Sequence, residues 1–280
     1  MDERSLLYLG SKALHRMAYV EWPGEQNARP VICVHGLTRN GRDFDRLAAS
    51  FAGKRRVLCP DMPGRGMSEW LSEGEEYGYP LYLACAMNLL TRYGIEEVDW
   101  VGTSMGGLVG MALASLPGTP IRRLVLNDIG PLIAAEGLDR IGGYVGRDPS
   151  FADVAALEAH LRDVAAPFGP LSDADWRHLA AISARRKPDG SIGYAYDPRI
   201  GDAFRQGPAK DIDLWGQWDA IKVPTLVLRG AESDLLRHTD ALAMTTRGPK
   251  ARLVELSGIG HAPALMAADQ IALISDFLAL

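Results

Sequence analysis

The strongest chemical signal in the sequence is a serine held between glycines, Gly102-Thr103-Ser104-Met105-Gly106. It lies where an apolar run at residues 98–101, typical of a buried strand, is followed by a helical pattern that begins at Met105. In a G-x-S-x-G motif the serine occupies a sharp strand-to-helix turn, and the glycines are required because larger side chains would clash there. The turn also places the hydroxyl at a helix N-terminus, whose partial positive charge favours a developing oxyanion. We therefore predict that Ser104 is a nucleophile; the alternative is a glycine-rich turn with an incidental serine.

A histidine suited to general-base chemistry follows the last predicted strand. His261 lies in Gly258-Ile259-Gly260-His261-Ala262-Pro263, directly before the last helical pattern. A neutral imidazole can accept the serine proton near pH 7 and later return it to the leaving group. Many loop histidines are structural, but this one is flanked by glycines and comes last in the order nucleophile, acid, base. We predict that His261 is the general base.

Two carboxylates could orient this histidine, because each follows a predicted strand. Asp234 lies in Gly230-Ala231-Glu232-Ser233-Asp234, beyond the strand at residues 225–228, and Asp128 lies directly after the strand at residues 123–126. Catalytic groups collect at the carboxyl ends of strands in open α/β sheets. A carboxylate there would hold the histidine tautomer and stabilise the imidazolium. We favour Asp234 as the acid; Asp128 could instead be a turn residue that bonds to nearby backbone amides.

The loop after the first predicted parallel strand could stabilise an oxyanion. His35-Gly36-Leu37-Thr38 follows the apolar run at residues 31–34. A tetrahedral intermediate needs two N–H donors, which we predict to be the backbone amides of Leu37 and Met105. Gly36 lets this backbone approach a substrate closely, and we assign it to substrate binding. We expect His35 to brace the loop.

The pattern of apolar runs predicts a fold that can position these groups. Six β-branched runs, apolar on both sides, are typical of strands in a parallel sheet covered on both faces. They lie at residues 30–34, 56–59, 98–101, 123–126, 225–228 and 251–256, after a predicted β-hairpin at residues 5–22. Helical patterns occupy residues 42–51, 81–93, 105–116 and 263–278. Alternating strands and helices predict an α/β fold with a mostly parallel, doubly wound sheet.

Residues 131–216 interrupt this alternation with helix-like segments and no convincing buried strand. We interpret them as an inserted helical cap, which leaves a core of residues 1–130 and 217–280; the alternative is a helical layer of the same domain. The segment is rich in aromatic side chains, so we expect it to roof the serine with an apolar wall. We assign Trp176 of this segment, and Asp128 at its mouth, to substrate binding.

Composition excludes several other classes of protein. The 280 residues carry 30 basic and 35 acidic side chains, and no basic stripe indicates a nucleic-acid partner. No stretch of about 18 apolar residues predicts a membrane span, and no secretory signal is found. The odd cysteine count, with Cys33, Cys59 and Cys85 far apart, favours reduced thiols and a cytoplasmic location. We find no H-E-x-x-H, C-x-x-C, Walker or dinucleotide motif, and we predict no metal and no cofactor.

Taken together, the motifs resemble the α/β-hydrolase superfamily over nearly the whole chain and in the family's order. The segments that carry the resemblance are His35-Gly36-Leu37-Thr38, Asp61-Met62-Pro63-Gly64-Arg65-Gly66-Met67-Ser68, Gly102-Thr103-Ser104-Met105-Gly106-Gly107, Asp234 and His261. The chain looks most like small bacterial carboxylesterases with a helical cap. In that family the segment from Asp61 to Ser68 is a structural loop. Haloalkane dehalogenases and epoxide hydrolases use aspartate as the nucleophile, so Ser104 argues against both.

The resemblance implies a carboxylesterase-type serine hydrolase that acts on small esters of short to medium acyl chain. A hydrolase of carbon–carbon bonds in ring-fission products, or of enol lactones, is the alternative on the same fold. It would need a cationic or amide group to bind a substrate carboxylate, and Arg140, Arg147, Arg185 and Arg186 are available. A non-enzymatic binding protein is a further alternative, although every catalytic role is filled. The sequence does not indicate an oligomeric state.

Overall fold

The computed structural model describes residues 1–205, 207 and 209–279, and its main feature is one eight-stranded sheet. The described strands are β1 (Asp2–Leu9), β2 (Leu14–Trp22), β3 (Val31–Val34), β4 (Val57–Pro60), β5 (Val98–Thr103), β6 (Ile121–Asn127), β7 (Leu132–Ile133), β8 (Ala184–Arg186), β9 (Ile192–Tyr194), β10 (Ile212–Asp213), β11 (Thr225–Gly230) and β12 (Arg252–Leu256). The sheet has the order β1-β2-β4-β3-β5-β6-β11-β12. The hairpin β1–β2 and the pair β2–β4 are antiparallel, and the remaining pairs are parallel.

Helices follow most of the parallel strands. The described α-helices are α1 (Asp45–Phe51), α2 (Tyr79–Arg92), α3 (Met105–Ala114), α4 (Ala135–Gly142), α5 (Val154–Val164), α6 (Asp173–Ser183), α7 (Trp215–Ala220), α8 (His238–Met244) and α9 (Ala268–Leu278). Short 3₁₀ helices occupy Gly41–Phe44, Gly74–Glu76, Ala166–Phe168 and Pro198–Arg205. The predicted hairpin, the six predicted strands and the four predicted helical patterns are all present, so the expected mostly parallel α/β sheet is confirmed.

The sheet is buried on both faces because successive side chains of each strand enter different apolar clusters. Trp100 and Leu124 pack into the larger cluster, whereas their chain neighbours Val101 and Val125 pack into the cluster on the opposite face. All residues of β3, β4 and β11 are buried. This two-sided burial explains why the strands appear in the sequence as continuous apolar runs rather than alternating ones.

The described residues between β6 and β11 form four α-helices, two 3₁₀ helices and two small antiparallel pairs, β7–β10 and β8–β9. The sequence does not predict these pairs, because strands of two or three residues are too short to show a period. Part of the segment has its own apolar cluster, with Leu157, Leu161, Leu179 and Ile192 at its centre. Helix α7 runs across the predicted boundary at residue 216. The division into core and cap stays a prediction.

Two further findings concern the described residues. No helix among them is both long enough and apolar enough to cross a membrane. Cys33, Cys59 and Cys85 are buried and form no disulfide. The cytoplasmic location itself remains an expectation.

Candidate active site

Ser104 occupies the turn between β5 and α3 that the glycine motif predicts. Its backbone has φ 51° and ψ −115°, a left-handed conformation that a non-glycine residue rarely adopts. The glycines are required by close approaches: a Cβ atom on Gly106 would lie 2.0 Å from the carbonyl oxygen of Val34. One on Gly102 would lie 2.4 Å from the backbone of Gly106. The strained turn therefore needs hydrogen at both positions, and it leaves the Ser104 side chain partly exposed.

His261 lies between β12 and α9 and reaches the serine. Its Nε2 atom is 3.1 Å from Ser104 Oγ, within hydrogen-bond distance. The loop before it is held in place, because Gly260 donates its N–H to Pro167 and Glu232 donates its N–H to Ile259. The structure thus brings Ser104 and His261 together as the sequence predicts.

The prediction that Asp234 orients this histidine is wrong. The carboxylate next to His261 belongs to Asp128, whose Oδ2 is 2.8 Å from Nδ1 of the imidazole. Asp234 instead lies at the surface, with 53% of its side chain exposed, in an ion pair with Arg140 of α4. The physical reason is the distance of each residue from the end of its strand. Asp128 is the first residue after β6, whereas Asp234 lies four positions beyond Gly230, where β11 ends. A carboxylate that far past a strand end is outside the buried edge of the sheet.

Asp128 is prepared as a buried hydrogen-bond acceptor. Its side chain is fully buried, and its backbone has φ 55°, a conformation that aspartate tolerates better than most residues. Gly230 N–H donates to Oδ1 at 2.9 Å, and the Ser233 hydroxyl donates to Oδ2 at 2.6 Å. With His261, three hydrogen-bonding partners surround the carboxylate and fix its orientation. Asp128 therefore does not line the cavity as a substrate-binding residue.

Asn127, which sequence reasoning missed, connects the three segments of this arrangement. Its amide nitrogen donates to the Thr103 hydroxyl at 3.0 Å and to the Pro263 carbonyl at 2.8 Å. Its backbone carbonyl accepts the N–H of Ser104. The only sequence signal for this role is a polar side chain at the end of an otherwise apolar strand. Ser233 was missed for a similar reason, since a serine in a polar loop is not informative.

The structure places Leu37 and Met105, the residues predicted to form the oxyanion hole, on the same cavity as Ser104. Met105 is the first residue of α3, so its N–H has no acceptor inside the helix. Gly36 passes directly beside the nucleophile, since a Cβ atom there would lie 3.7 Å from Ser104 Cβ. Leu37, Ser104 and Met105 line the same cavity. The backbone amides of Leu37 and Met105 are therefore suitably placed to face an oxyanion above Ser104.

His35 braces this loop, as expected. It is fully buried; its Nδ1 is 2.7 Å from the Gly36 carbonyl, and its Nε2 accepts the Met62 N–H at 2.9 Å. The Gly36 carbonyl and the Leu37 N–H belong to one planar peptide, so the imidazole fixes the direction of that N–H. Burial lowers the pKa of His35 to about 3, and the ring stays neutral at physiological pH.

A cavity of about 530 Å³ opens above Ser104. Apolar and tyrosine side chains dominate its walls, including Tyr77, Tyr82, Leu108, Ile133, Ile141 and Phe204. Asp139 is the one ionisable group other than tyrosine among the described lining residues, and it lies at the exposed rim. The four arginines considered for carboxylate binding, Arg140, Arg147, Arg185 and Arg186, are not part of the described lining. The part of a substrate that enters this cavity must therefore be largely apolar.

Trp176, predicted to bind substrate, is not brought to the cavity. It is buried in the separate apolar cluster with Leu157 and Leu179, and the Arg162 guanidinium lies 5.7 Å from its ring centroid. The aromatic wall comes from Tyr77, Tyr79, Tyr82 and Phe204 instead. Three of these precede or begin α2, outside the segment in which the sequence predicts an aromatic roof.

Within the part of the chain that the structure describes, no group of three or more His, Cys, Asp or Glu side chains could hold a metal ion.

What the site can do chemically is transfer a proton. The chain of contacts from Ser104 through His261 to Asp128 can activate the hydroxyl and stabilise the imidazolium that forms.

The chain is similar to known hydrolases in sequence and in fold. A family model described as "Alpha/beta hydrolase family" matches residues 31–272. A 3-hydroxybutyrate-oligomer hydrolase from Cupriavidus necator is 43% identical over 272 residues, 94% of this chain and 93% of the relative. A 2-hydroxymuconate semialdehyde hydrolase from Pseudomonas putida is 29% identical over 89% of this chain and 87% of its own length. The crystal structure of an alpha/beta hydrolase from Novosphingobium aromaticivorans matches with a TM-score of 0.89 and 36% identity, over 99% of this chain and 98% of that one.

Proposed function

This chain belongs to the alpha/beta hydrolase family, and from that premise we propose that it is a serine hydrolase that cleaves carboxylic esters through an acyl-enzyme intermediate. One observation carries the proposal: Ser104 Oγ, both ring nitrogens of His261 and the buried Asp128 carboxylate form a continuous chain of contacts of 3.1 and 2.8 Å. Binding alone does not require a serine in a strained turn whose hydroxyl contacts an imidazole that a buried carboxylate orients, whereas nucleophilic catalysis does.

In the acylation step, Ser104 Oγ attacks the ester carbonyl carbon while its proton moves to His261 Nε2. The carbonyl oxygen becomes an oxyanion, which the amides of Leu37 and Met105 stabilise. Asp128 accepts a hydrogen bond from Nδ1 and stabilises the imidazolium without taking its proton. When the carbon–oxygen bond of the leaving group breaks, the proton on Nε2 passes to the departing alcohol.

In the deacylation step, water takes the place of the alcohol. His261 Nε2 accepts a proton from the water as its oxygen attacks the acyl carbon, and a second oxyanion forms in the same place. Collapse of this intermediate breaks the bond to Ser104 Oγ, which recovers the proton from His261. The products are the alcohol and the carboxylic acid, and the enzyme returns to its starting state.

We propose esters of short to medium acyl chain as substrates, with short 3-hydroxybutyrate oligomers as the specific candidate. The cavity volume of about 530 Å³ suits a small molecule that it can enclose. The ester-linked part of a 3-hydroxybutyrate oligomer is compact, with one methyl branch per unit and a neutral ester, which matches apolar walls; its terminal carboxylate must lie outside the apolar part of the cavity. The activity in the name of the Cupriavidus necator relative, at 43% identity, supports this choice.

Hydrolysis of carbon–carbon bonds in ring-fission products has less support. No described lining residue of the cavity is an arginine, lysine or histidine, but a short 3-hydroxybutyrate oligomer carries a terminal carboxylate as a ring-fission product does, so charge alone does not separate the two classes. The relative that is a 2-hydroxymuconate semialdehyde hydrolase has lower identity, at 29%.

The proposal is tested by labelling with a fluorophosphonate and by a substrate panel. We expect one adduct per chain, on Ser104, and hydrolysis of 4-nitrophenyl butyrate and of a 3-hydroxybutyrate dimer. Ser104→Ala should remove both labelling and turnover, a loss on the order of 10⁴ to 10⁶, while thermal stability stays close to wild type. Turnover of Ser104→Ala within tenfold of wild type would contradict the proposal. Preference for a ring-fission diketo acid would favour the carbon–carbon hydrolase instead.

A further inference from the structure

Arg65 lies behind the candidate oxyanion hole with a guanidinium that is completely buried. Its Nε donates to the Leu37 carbonyl at 2.8 Å, and Nη1 donates to the Pro63 carbonyl at 2.7 Å and the Tyr82 hydroxyl at 2.8 Å. Nη2 points at the Met105 sulfur, 3.6 Å away. One side chain therefore contacts both residues whose amides form the hole.

The charge on Arg65 is balanced differently from that of the other buried arginines. Arg55 and Arg229 each pair with a carboxylate, those of Asp99 and Glu255 respectively, and the partly buried Arg39 pairs with Asp43. Among the described side chains, no carboxylate lies within 4.0 Å of the Arg65 guanidinium. The rings of Tyr77 and Tyr82 lie near it instead, with centroids at 5.5 and 4.9 Å.

A buried cation without an anionic partner is unfavourable, and aromatic rings offset only part of that cost. The Met105 thioether is a weak acceptor, so Nη2 is poorly satisfied in the resting molecule. An arrangement of this kind is explained if the negative charge that balances it forms only during the reaction. The oxyanion expected between the amides of Leu37 and Met105 is such a charge.

We infer that Arg65 is a positioning residue for the oxyanion hole and that its buried positive charge stabilises the anionic tetrahedral intermediate. It acts together with His35: the imidazole holds the peptide on the N-terminal side of Leu37, and Arg65 holds the carbonyl on its C-terminal side. Because these contacts fix both peptides around Leu37, its N–H cannot turn away from the site. The inference rests on the proposed function, since it requires an oxyanion above Ser104.

The inference predicts an effect on the rate of reaction rather than on substrate binding. Charge that appears only in the transition state changes kcat and leaves KM nearly unchanged. Loss of one oxyanion-hole donor lowers kcat by about 10² to 10³, and we expect Arg65→Met to lower it by about 10². Arg65→Lys keeps the charge without the planar fork and should retain more kcat than Arg65→Gln, which is neutral.

The experiment measures kcat and KM for 4-nitrophenyl butyrate, together with the inhibition constant of butylboronic acid, which forms an anionic tetrahedral adduct with an active serine. Arg65→Met should weaken boronate binding by a factor similar to its loss of kcat/KM. Arg55→Met is the matched control: it removes another buried arginine, one that pairs with Asp99 beside the first residues of β4 and β5, at the edge of the sheet opposite Ser104. Arg55→Met should lower the free energy of unfolding and leave kcat close to that of wild type.

Three results would overturn the inference. They are a kcat of Arg65→Met within threefold of wild type, a change in KM alone, and unchanged boronate affinity. If Arg65→Met does not fold, the comparison of Arg65→Lys with Arg65→Gln decides, because equal kcat values would show that the charge is irrelevant. Failure of the proposed function is a different result, since wild-type protein would then neither hydrolyse the ester nor bind the boronate.

Discussion

At the residue scale, the sequence identifies those groups whose neighbours are chemically constrained. Ser104 is recognisable because Gly106 lies against Val34 and Gly102 lies against Gly106, so both positions require glycine. His261 is recognisable because a glycine-rich loop carries it after the last strand. The acid is not recognisable in this way. Asp128 and Asp234 both follow strands, but Asp128 is buried beside His261 and Asp234 is exposed at the surface. Burial is a property of the folded chain, and neither local sequence reveals it.

The assignment of Asp128 predicts opposite outcomes for two similar substitutions. Asp128→Asn should lower kcat by on the order of 10⁴, because the amide favours the wrong tautomer of His261. Asp234→Asn should lower it by less than about fivefold, since an exposed ion pair contributes at most about 1 kcal/mol. Steady-state rates with 4-nitrophenyl butyrate check both. A greater loss of kcat in Asp234→Asn than in Asp128→Asn would mean that Asp234, after β11, is the catalytic acid.

The lowered pKa of His35 predicts that the free energy of unfolding depends on pH. Burial places its pKa at about 3 in the folded chain, below the ordinary value of 6.5, so the unfolded chain binds a proton that the folded chain does not. The stability that neutral His35 contributes is therefore complete above pH 6.5 and is lost as the pH falls toward 3.

This is checked by urea unfolding of the wild type and of His35→Gln at pH 7.5 and pH 5. Glutamine can keep one donor and one acceptor but does not titrate, so other ionisable groups cancel in the comparison. The difference in unfolding free energy between the two proteins should shrink at pH 5. A difference that is the same at both pH values would show that His35 does not remain neutral in the folded chain.

At the scale of elements, the parallel core was predictable, whereas the segment between β6 and β11 was predictable only in part. Core strands such as β3 and β11 are buried throughout and produce unmistakable apolar runs. The pairs β7–β10 and β8–β9 are too short for any period, and Trp176 gives no sign of which apolar cluster it joins. An aromatic residue in a helix can face a ligand cavity or a packed core with the same local pattern.

The contact between α3 and β3 predicts that Gly106→Ala is destabilising and damages the site. Its Cβ atom would lie 2.0 Å from the Val34 carbonyl oxygen and 2.9 Å from that of His35, so the helix and the strand must separate. We expect a loss of about 1–3 kcal/mol in unfolding free energy, as for other overpacked sites, and a fall in kcat because Met105 moves with the helix.

Thermal unfolding and ester hydrolysis measure these effects. Gly216→Ala in α7 is the control, since a Cβ atom there meets nothing within 4 Å, and its stability should stay within about 0.5 kcal/mol of wild type. Equal stability of the two variants would mean that the helix tolerates a wider separation from β3 than the distances allow.

At the scale of the whole molecule, the resemblance to the α/β-hydrolase superfamily is confirmed, and it correctly anticipated the sheet. It did not anticipate which residues line the cavity above Ser104. The walls combine residues before α2, from α4 and from the 3₁₀ helix Pro198–Arg205, segments far apart in the chain. A cavity built by such long-range packing has no local sequence signature.

The limited volume of the cavity, about 530 Å³, predicts an optimum in acyl length. Each methylene that fits contributes roughly 0.8 kcal/mol of burial, whereas one that does not fit must displace the walls. With 4-nitrophenyl esters from acetate to palmitate, kcat/KM should rise through the short chains and then fall. Efficiency that climbs steadily to palmitate would indicate a lipase with an open acyl site.

The apolar lining also has a consequence for the end of the catalytic cycle. In the proposed cycle the acid released from Ser104 ionises at neutral pH; no described residue of the cavity walls is an arginine or lysine that would pair with it, and Asp139 at the rim repels it. The cavity that accepts a neutral ester is thus a poor host for the anion made from it. Departure of the carboxylate should be fast, and added butyrate should inhibit the enzyme only weakly, even at concentrations well above KM for the matching ester.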